Sequence, residues 1–245
     1  STKILLQCLP MTLRDIAVGL DGSRSATNAL RWAAMLANES KAQLRILSTW
    51  HMPTLATIPS ILVALPPPAL MAAQVGEQVD KARAEAGVGD IPTQIVEGDA
   101  GAFLAAETGV ADLVVVGRTG SGQRGPARLL AELVLGSSAR YCLHHASGPV
   151  ALIPAATTWV PNPNVVVGID GSPASVAALD WALTSLPAAS TIHAIQAIPP
   201  YREGLLALDH QAMDRITEAT QLQLDEVVSA ALIAAGQNNR DVSRT

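Results

Sequence analysis

The residues best suited to chemistry in this sequence lie between Leu113 and His145, where an apolar run, Leu113 to Val116, ends abruptly at Gly117. Gly120, Gly122 and Gly125 follow before a helical pattern resumes. Glycines in such a loop let backbone N–H groups turn toward a common centre, so the segment can curl around an anion. Downstream, Gly136 precedes Ser137 and Ser138, good N-cap residues for a helix over Ala139 to His145, and a helix N-terminus also attracts anions. The two halves together describe one phosphate site. The bland readings are a connection that binds nothing and serines that only cap, although capping and phosphate contact are compatible.

Other reactive side chains carry weaker signals. Asp21 and Asp170 each precede Gly-Ser, as turn or cap residues do, and a carboxylate there can also accept hydrogen bonds from hydroxyl or amino groups. Arg118, Arg124 and Arg128 are of the type that pairs with phosphate, while exposed arginines on a solvated loop are commoner. His144 and His145 sit late in the expected helix, where histidine favours the C-terminal end of the dipole without any catalytic role. No GxxxxGK[ST] run supplies a P-loop lysine, and no Ser, His and Asp set is placed by spacing. Cys8 and Cys142 stand apart with no metal or disulfide spacing, and no signal-peptide cleavage pattern is present, which together read as a reducing cytoplasm.

The elements that must position these residues alternate between two periods. Leu13 to Gly19 reads as a strand, running into Asp21-Gly22-Ser23 and a helix through Asn38; Gln43 to Trp50 is the next strand. A proline-rich excursion to Pro68 leads into a helix over Ala69 to Ala86, stopped by Gly87. Strands follow at Thr93 to Val96, Leu113 to Val116 and Val150 to Ile153, with helices at Ala100 to Glu107, Arg128 to Leu135 and Ser138 to His145. Five strands alternating with helices predict an α/β fold, an open doubly wound parallel five-stranded sheet of Rossmann-like type. The 3% aromatic and 49% hydrophobic content suits an aliphatic core of that kind.

Net charge is -5 with no Lys or Arg run, which argues against a nucleic-acid partner. Prolines 59 and 66 to 68 interrupt the longest apolar region, which argues against a membrane span. Lys3 to Leu9 is short enough for an edge strand only.

An internal repeat then declares itself. Val165 to Leu183, VVVGIDGSPASVAALDWAL, matches Ile16 to Ala34, IAVGLDGSRSATNALRWAA, without a gap, with Trp181 opposite Trp32. Residues 1–12 read as an N-terminal extension, 13–156 as a first domain, 157–164 as a linker and 165–245 as a truncated second domain. In the second copy Thr191 to Ile198 is the next strand and Asp209 to Ala235 a long helix, with a polar end and no equivalent of Thr93 to Ile153. Its uncovered edge and faces predict packing on the first domain or on another chain.

With the DGS strand end, the GRTG loop, the LVLGSSARYCLHHASGPVALIP segment and the duplication in view, the chain resembles a tandem universal stress protein with an incomplete second repeat. The resemblance implies a five-stranded parallel sheet with helices on both faces, and a cytoplasmic stress-response protein binding ATP, alone or with Mg²⁺ on its phosphates. It places Gly19 and Leu20 as backbone contacts, Asp21 beside ribose or adenine, Thr49 against the base, and Val116 before the loop. Gly117, Arg118, Thr119, Gly120, Gly136, Ser137 and Ser138 then form the phosphate-binding set. The family motif Gly-x2-Gly-x9-Gly-Ser/Thr has nine residues where Ser121 to Leu135 supplies fifteen here. Either the extra residues loop out and leave both turns together, or they pull the first turn away from the second. The alternatives in function are a non-nucleotide universal stress protein acting through dimerisation or partner binding, and a nucleotidyl-transferring enzyme of the same architecture. The resemblance also implies a homodimer paired through edge strand Val150 to Ile153.

Overall fold

Short aliphatic runs without polar alternation suit strands covered on both faces, and the computed structural model places them so. It describes residues 13–52, 67–120, 135–186, 190–197, 210–236 and 242–244. The edge strand expected at 3–9, most of the proline-rich excursion and the helical turn expected at 128–135, apart from Leu135, lie outside the described residues. The chain divides into two compact units, one spanning Leu13–Trp159 and another from Val160 onward.

In the first unit, β1 (Asp15–Gly19), β2 (Gln43–Trp50), β3 (Thr93–Glu97), β4 (Leu113–Gly117) and β5 (Val150–Ile153) form one sheet. Its order is β3-β2-β1-β4-β5 and every pairing is parallel. The connecting helices are α1 (Arg24–Ser40), α2 (Pro68–Ala86), α3 (Ala100–Glu107) and α4 (Ser137–His145). This is the open α/β sheet the alternation predicts.

Period-two geometry divides the central strands between two layers of core. Ala17, Leu47, Val114 and Val116 pack with Leu104 of α3 and with Ala139 and Cys142 of α4. On α1, Ala26, Ala29, Leu30, Ala33 and Leu36 recur at helical spacing and are all buried. Ser23 starts that helix, its hydroxyl accepting from the Ala26 N–H, and Lys41 ends it in the left-handed conformation with φ 59°. Asn28 on the same helix donates to the carbonyls of Pro154 (2.9 Å) and Thr157 (2.7 Å), and Trp32 meets Trp159 edge to face with ring centroids 5.4 Å apart. The first residues of the expected linker are therefore fastened to α1.

The second unit contains β6 (Asn164–Gly168), α5 (Pro173–Ser185), β7 (Thr191–Ile195), α6 (His210–Ala234) and β8 (Val242–Arg244). Its parallel sheet has the order β6-β7-β8. Val167, Leu179, Leu183, Ile192, Ala194, Leu224 and Val228 form its core. The alternate positions face away from that core, and Val166 is 63% exposed. The DGS turn is built as in the first copy, with Ser172 capping α5, and the hydroxyl and backbone N–H of Ser172 hold the Asp170 carboxyl down at about 2.

β8 corrects the reading of the chain end as a featureless polar tail. It pairs with β7 as β3 pairs with β2, so the second unit does contain a counterpart to the third strand. Three residues leave no period to read, and of them Val242 is buried while Arg244 pairs with Asp225 at 3.6 Å.

Leu30 has no exposed surface, so Leu30→Ala is expected to lower unfolding free energy by about 2–5 kcal/mol in urea denaturation. Met35→Ala, on the exposed side of the same helix, is expected to cost less than half as much.

Candidate functional site

In an open parallel sheet, ligands collect where neighbouring strands send their connections in opposite directions, outside the carboxyl ends. Here that point lies between β1, which leads outward to β2, and β4, which leads outward to β5.

β1 delivers Gly19, Leu20 and Asp21 to this crevice. Leu20 is held from both sides, its N–H donating to the Leu47 carbonyl at 2.8 Å and its carbonyl accepting from the Ser48 hydroxyl at 2.7 Å. Asp21 turns back locally, accepting from the Ser23 N–H at 3.0 Å. Gly22 carries the turn at φ 75°, and a Cβ there would lie 3.3 Å from the Gln78 amide oxygen, so α2 closes over this turn.

β4 delivers the glycine loop. A Cβ on Gly117 would stand 2.7 Å from the Ala26 backbone nitrogen, so only glycine lets β4 end this close to the start of α1. The Ser25 hydroxyl donates to the Ile153 carbonyl at 3.0 Å, and the Ser23 hydroxyl to the Thr119 carbonyl at 3.3 Å. The Arg118 N–H also donates to Ile153, at 3.0 Å. These bonds fasten the loop between α1 and β5.

The second half of the motif arrives beside the first. Gly136 donates its N–H to the Arg118 carbonyl at 2.9 Å, and a Cβ on Gly136 would lie 3.1 Å from the Gly120 nitrogen. Gly120 in turn faces Asp21, its ideal Cβ position 3.0 Å from a carboxylate oxygen. Of the two arrangements left open by the long spacing, the chain adopts the one that keeps both turns together. Residues 121–134 lie outside the described residues; Gly120 and Gly136, on either side of them, stand together.

A cavity of about 710 Å³ occupies the crevice. Gly19, Leu20, Asp21, Thr49, Val116, Gly117, Thr119, Gly120, Gly136, Ser137 and Ser138 all line it. Arg118 does not: its backbone serves the loop, and its buried Nε has no hydrogen-bond partner. The spacing of the glycines could not separate these cases, because it says nothing about where a side chain on the loop turns.

Sequence reasoning missed Gln78, His51, Glu97, Asp99 and Phe103, which line the same cavity. Asp99 had a readable signal, since it stands immediately before a helix, and its carboxylate accepts from the Ala102 N–H at 2.8 Å. Gln78 had none in the first copy alone. Its position becomes visible through the second unit, where Gln223 on α6 lies 3.0 Å from the ideal Cβ of Gly171, as Gln78 does over Gly22.

The electrostatics favour an anion at one end only. α1 and α3 are capped by Ser23 and Asp99, whereas α4 begins at Gly136 with no side-chain cap, leaving its first amides without a side-chain acceptor. Ser137 and Ser138 stand at that N-terminus, at the positive end of the dipole. Toward α3, Glu97 and Asp99 bring negative charge, and no Lys or Arg is among the described residues lining the cavity. No cluster of three metal-ligating side chains occurs among the described residues. Among them, also, no helix is long and apolar enough to cross a membrane. The arrangement can therefore hold a polar organic group near Asp21 and Thr49 and an anionic one near Gly120, Gly136 and Ser137.

Comparison with known proteins gives a consistent family match. The profile of the universal stress protein family matches residues 12–154. Universal stress protein Rv2623 of Mycobacterium tuberculosis is 36% identical over 172 residues, an overlap covering 65% of this chain and 55% of that protein. A universal stress protein of Mycolicibacterium smegmatis is 31% identical over 186 residues, covering 68% and 58%. The chain thus spans a little over half the length of the curated relatives it matches. Among solved structures, a universal stress protein in complex with cAMP is 28% identical, with a TM-score of 0.40, covering 59% of this chain and 99% of its own.

The close approach of β4 to α1 makes a direct prediction. Gly117→Ala should lower unfolding free energy by about 1–3 kcal/mol, because its methyl meets backbone that cannot move aside. Gly89→Ala, which meets open space, should change it by less than about 0.5 kcal/mol in the same denaturation experiment.

Proposed function

The chain belongs to the universal stress protein family, and from that premise we propose that its first unit binds a nucleotide, ATP, in the crevice between β1 and β4. One observation carries the reading: Gly120 and Gly136, with fifteen residues between them in the chain, stand together at the uncapped N-terminus of α4. Backbone amides, the Ser137 and Ser138 hydroxyls and the helix dipole are what remains to hold phosphate where no lysine or arginine lines the described wall.

In this reading Asp21 accepts hydrogen bonds from the ribose hydroxyls or adenine amine. Thr49 lies against the base, and Gly19 and Leu20 present backbone. Val116 and Gly117 form the floor, with Thr119 leading into the phosphate turn. Arg118 acts through its carbonyl, which receives the Gly136 N–H, rather than as a phosphate cation. A Mg²⁺ ion would neutralise phosphate charge when bound; with no three-ligand cluster among the described residues, it would enter on the nucleotide itself. The protein's part is to bind and orient.

We read Val165 onward as an incomplete second repeat, supported by the repeated Asp-Gly-Ser turn and serine cap. In this reading the site described above belongs to the first repeat, which carries the glycine loop. We also propose that β5 pairs with its equivalent in a second copy. It is the apolar outer strand of the sheet, with β4 as its one neighbour among the described residues.

Calorimetric titration tests the nucleotide reading. ATP is expected to bind wild-type protein, Asp21→Ala to weaken it about 10- to 100-fold through lost hydrogen bonds to a charged acceptor, and Gly136→Val to abolish it by filling the cradle. No ATP binding by well-folded wild-type protein would overturn the reading in favour of a non-nucleotide member acting through partners. Light scattering at micromolar concentration tests the dimer: twice the chain mass is expected, and a Val150→Lys variant should run as a monomer.

A further inference from the structure

A second groove, about 370 Å³, adjoins the main cavity on the outer side of α4. It shares Asp99, Ser137 and Ser138 with the main cavity, so the two adjoin at the first turn of that helix. We propose that the groove receives the second nucleoside of a dinucleoside polyphosphate whose first nucleotide occupies the main cavity. This rests on the nucleotide reading above and names the ligand class more narrowly.

The argument follows the chemistry along the groove. Its boundary with the main cavity is the α4 N-terminus, where phosphate is best held, so a phosphate chain leaving the cavity passes over Ser137 and Ser138. Besides the shared Asp99, Ser137 and Ser138, the groove is lined by the cation Arg140 and by the imidazoles of His144 and His145. Arg140 lies three residues past Ser137, about 4.5 Å along the axis, within reach of the next phosphate.

The groove is also lined by an aromatic pair, Tyr141 and His145. The rings of Tyr141 and His145 are stacked, with centroids 4.0 Å apart and planes inclined by 16°. The imidazole is held there by its Nδ1–H, which donates to the Tyr141 carbonyl at 2.9 Å. Tyr141 in turn is seated on α3: a Cβ on Gly101 would fall 2.8 Å from the Tyr141 Cβ. Yet Tyr141 stays 42% exposed. A preorganised, solvent-facing aromatic pair in the same groove as Arg140 suits a nucleobase, which every purine offers as a flat π-face. Plain polyphosphate would use Arg140 and leave the rings idle. The groove volume lies within the roughly 300–1,000 Å³ typical of small-molecule sites.

The test is calorimetry on the full chain with three ligands: ATP, adenosine 5′-tetraphosphate and P1,P4-di(adenosine-5′) tetraphosphate. The dinucleotide is expected to bind at least about tenfold more tightly than either mononucleotide, at one per chain. Tyr141→Leu keeps an apolar side chain against Gly101 and removes the ring; it should erase that advantage and leave ATP affinity unchanged. Arg140→Gln, at an exposed side chain, should weaken both tetraphosphates and spare ATP. Equal affinity for ATP and the dinucleotide, an advantage that survives Tyr141→Leu, or one ligand per two chains would each overturn this proposal while leaving the nucleotide reading intact. If ATP itself fails to bind, both fall together.

Discussion

The pairing of β1 with β4 is the interaction on which the rest of the first unit depends. Ile16, Ala17 and Val18 lie beside Leu113, Val114 and Val115 at the centre of the sheet, and none of the six exposes more than a trace of surface. Because the chain leaves β1 toward one edge and β4 toward the other, their carboxyl ends have no crossover between them. The crevice is the space that this divergence leaves. Burial on both faces fixes the register, since a slip of one residue would turn each strand's apolar set onto the wrong helix layer.

Close approach sharpens that crevice into a site. Gly117 brings β4 within van der Waals range of the α1 N-terminus, and the Ser23 and Ser25 hydroxyls then fasten the outgoing loop. The Arg118 carbonyl in turn receives Gly136. Each bond is of ordinary strength. Their effect comes from sharing a few residues at one strand end, so that the helix cap, the loop and the edge strand β5 are held together. An insertion elsewhere in the loop changes chain entropy slowly with length and leaves these end contacts intact.

The second unit contains the same sequence element. The turn Asp170-Gly171-Ser172 repeats Asp21-Gly22-Ser23 down to the carboxylate accepting from the serine N–H, 2.9 Å against 3.0 Å. A glutamine from the second helix after the turn, Gln78 on α2 or Gln223 on α6, covers it in both units. Among the described residues, however, no strand lies beyond β6, where the first unit continues from β1 to β4 and β5, and Val166 is exposed where Ala17, at the matching place in the sequence, is buried. Local structure is therefore common to both copies, whereas the crevice requires long-range pairing.

The sequence by itself determined most of the strands and helices and the parallel class of the sheet, because periodicity and caps are local signals; the part of the cavity lining it named came through the family resemblance. It did not reveal β8, whose three residues carry no period, nor Gln78 and Glu97, which reach the cavity from segments with no motif. It also left the fate of the lengthened loop undecided. Only tertiary structure seats Gly136 against Gly120 and leaves Arg118 out of the cavity lining. The physical reason is that spacing along a chain limits how far apart two residues can be, while the hydrogen bonds of their neighbours decide how near they come.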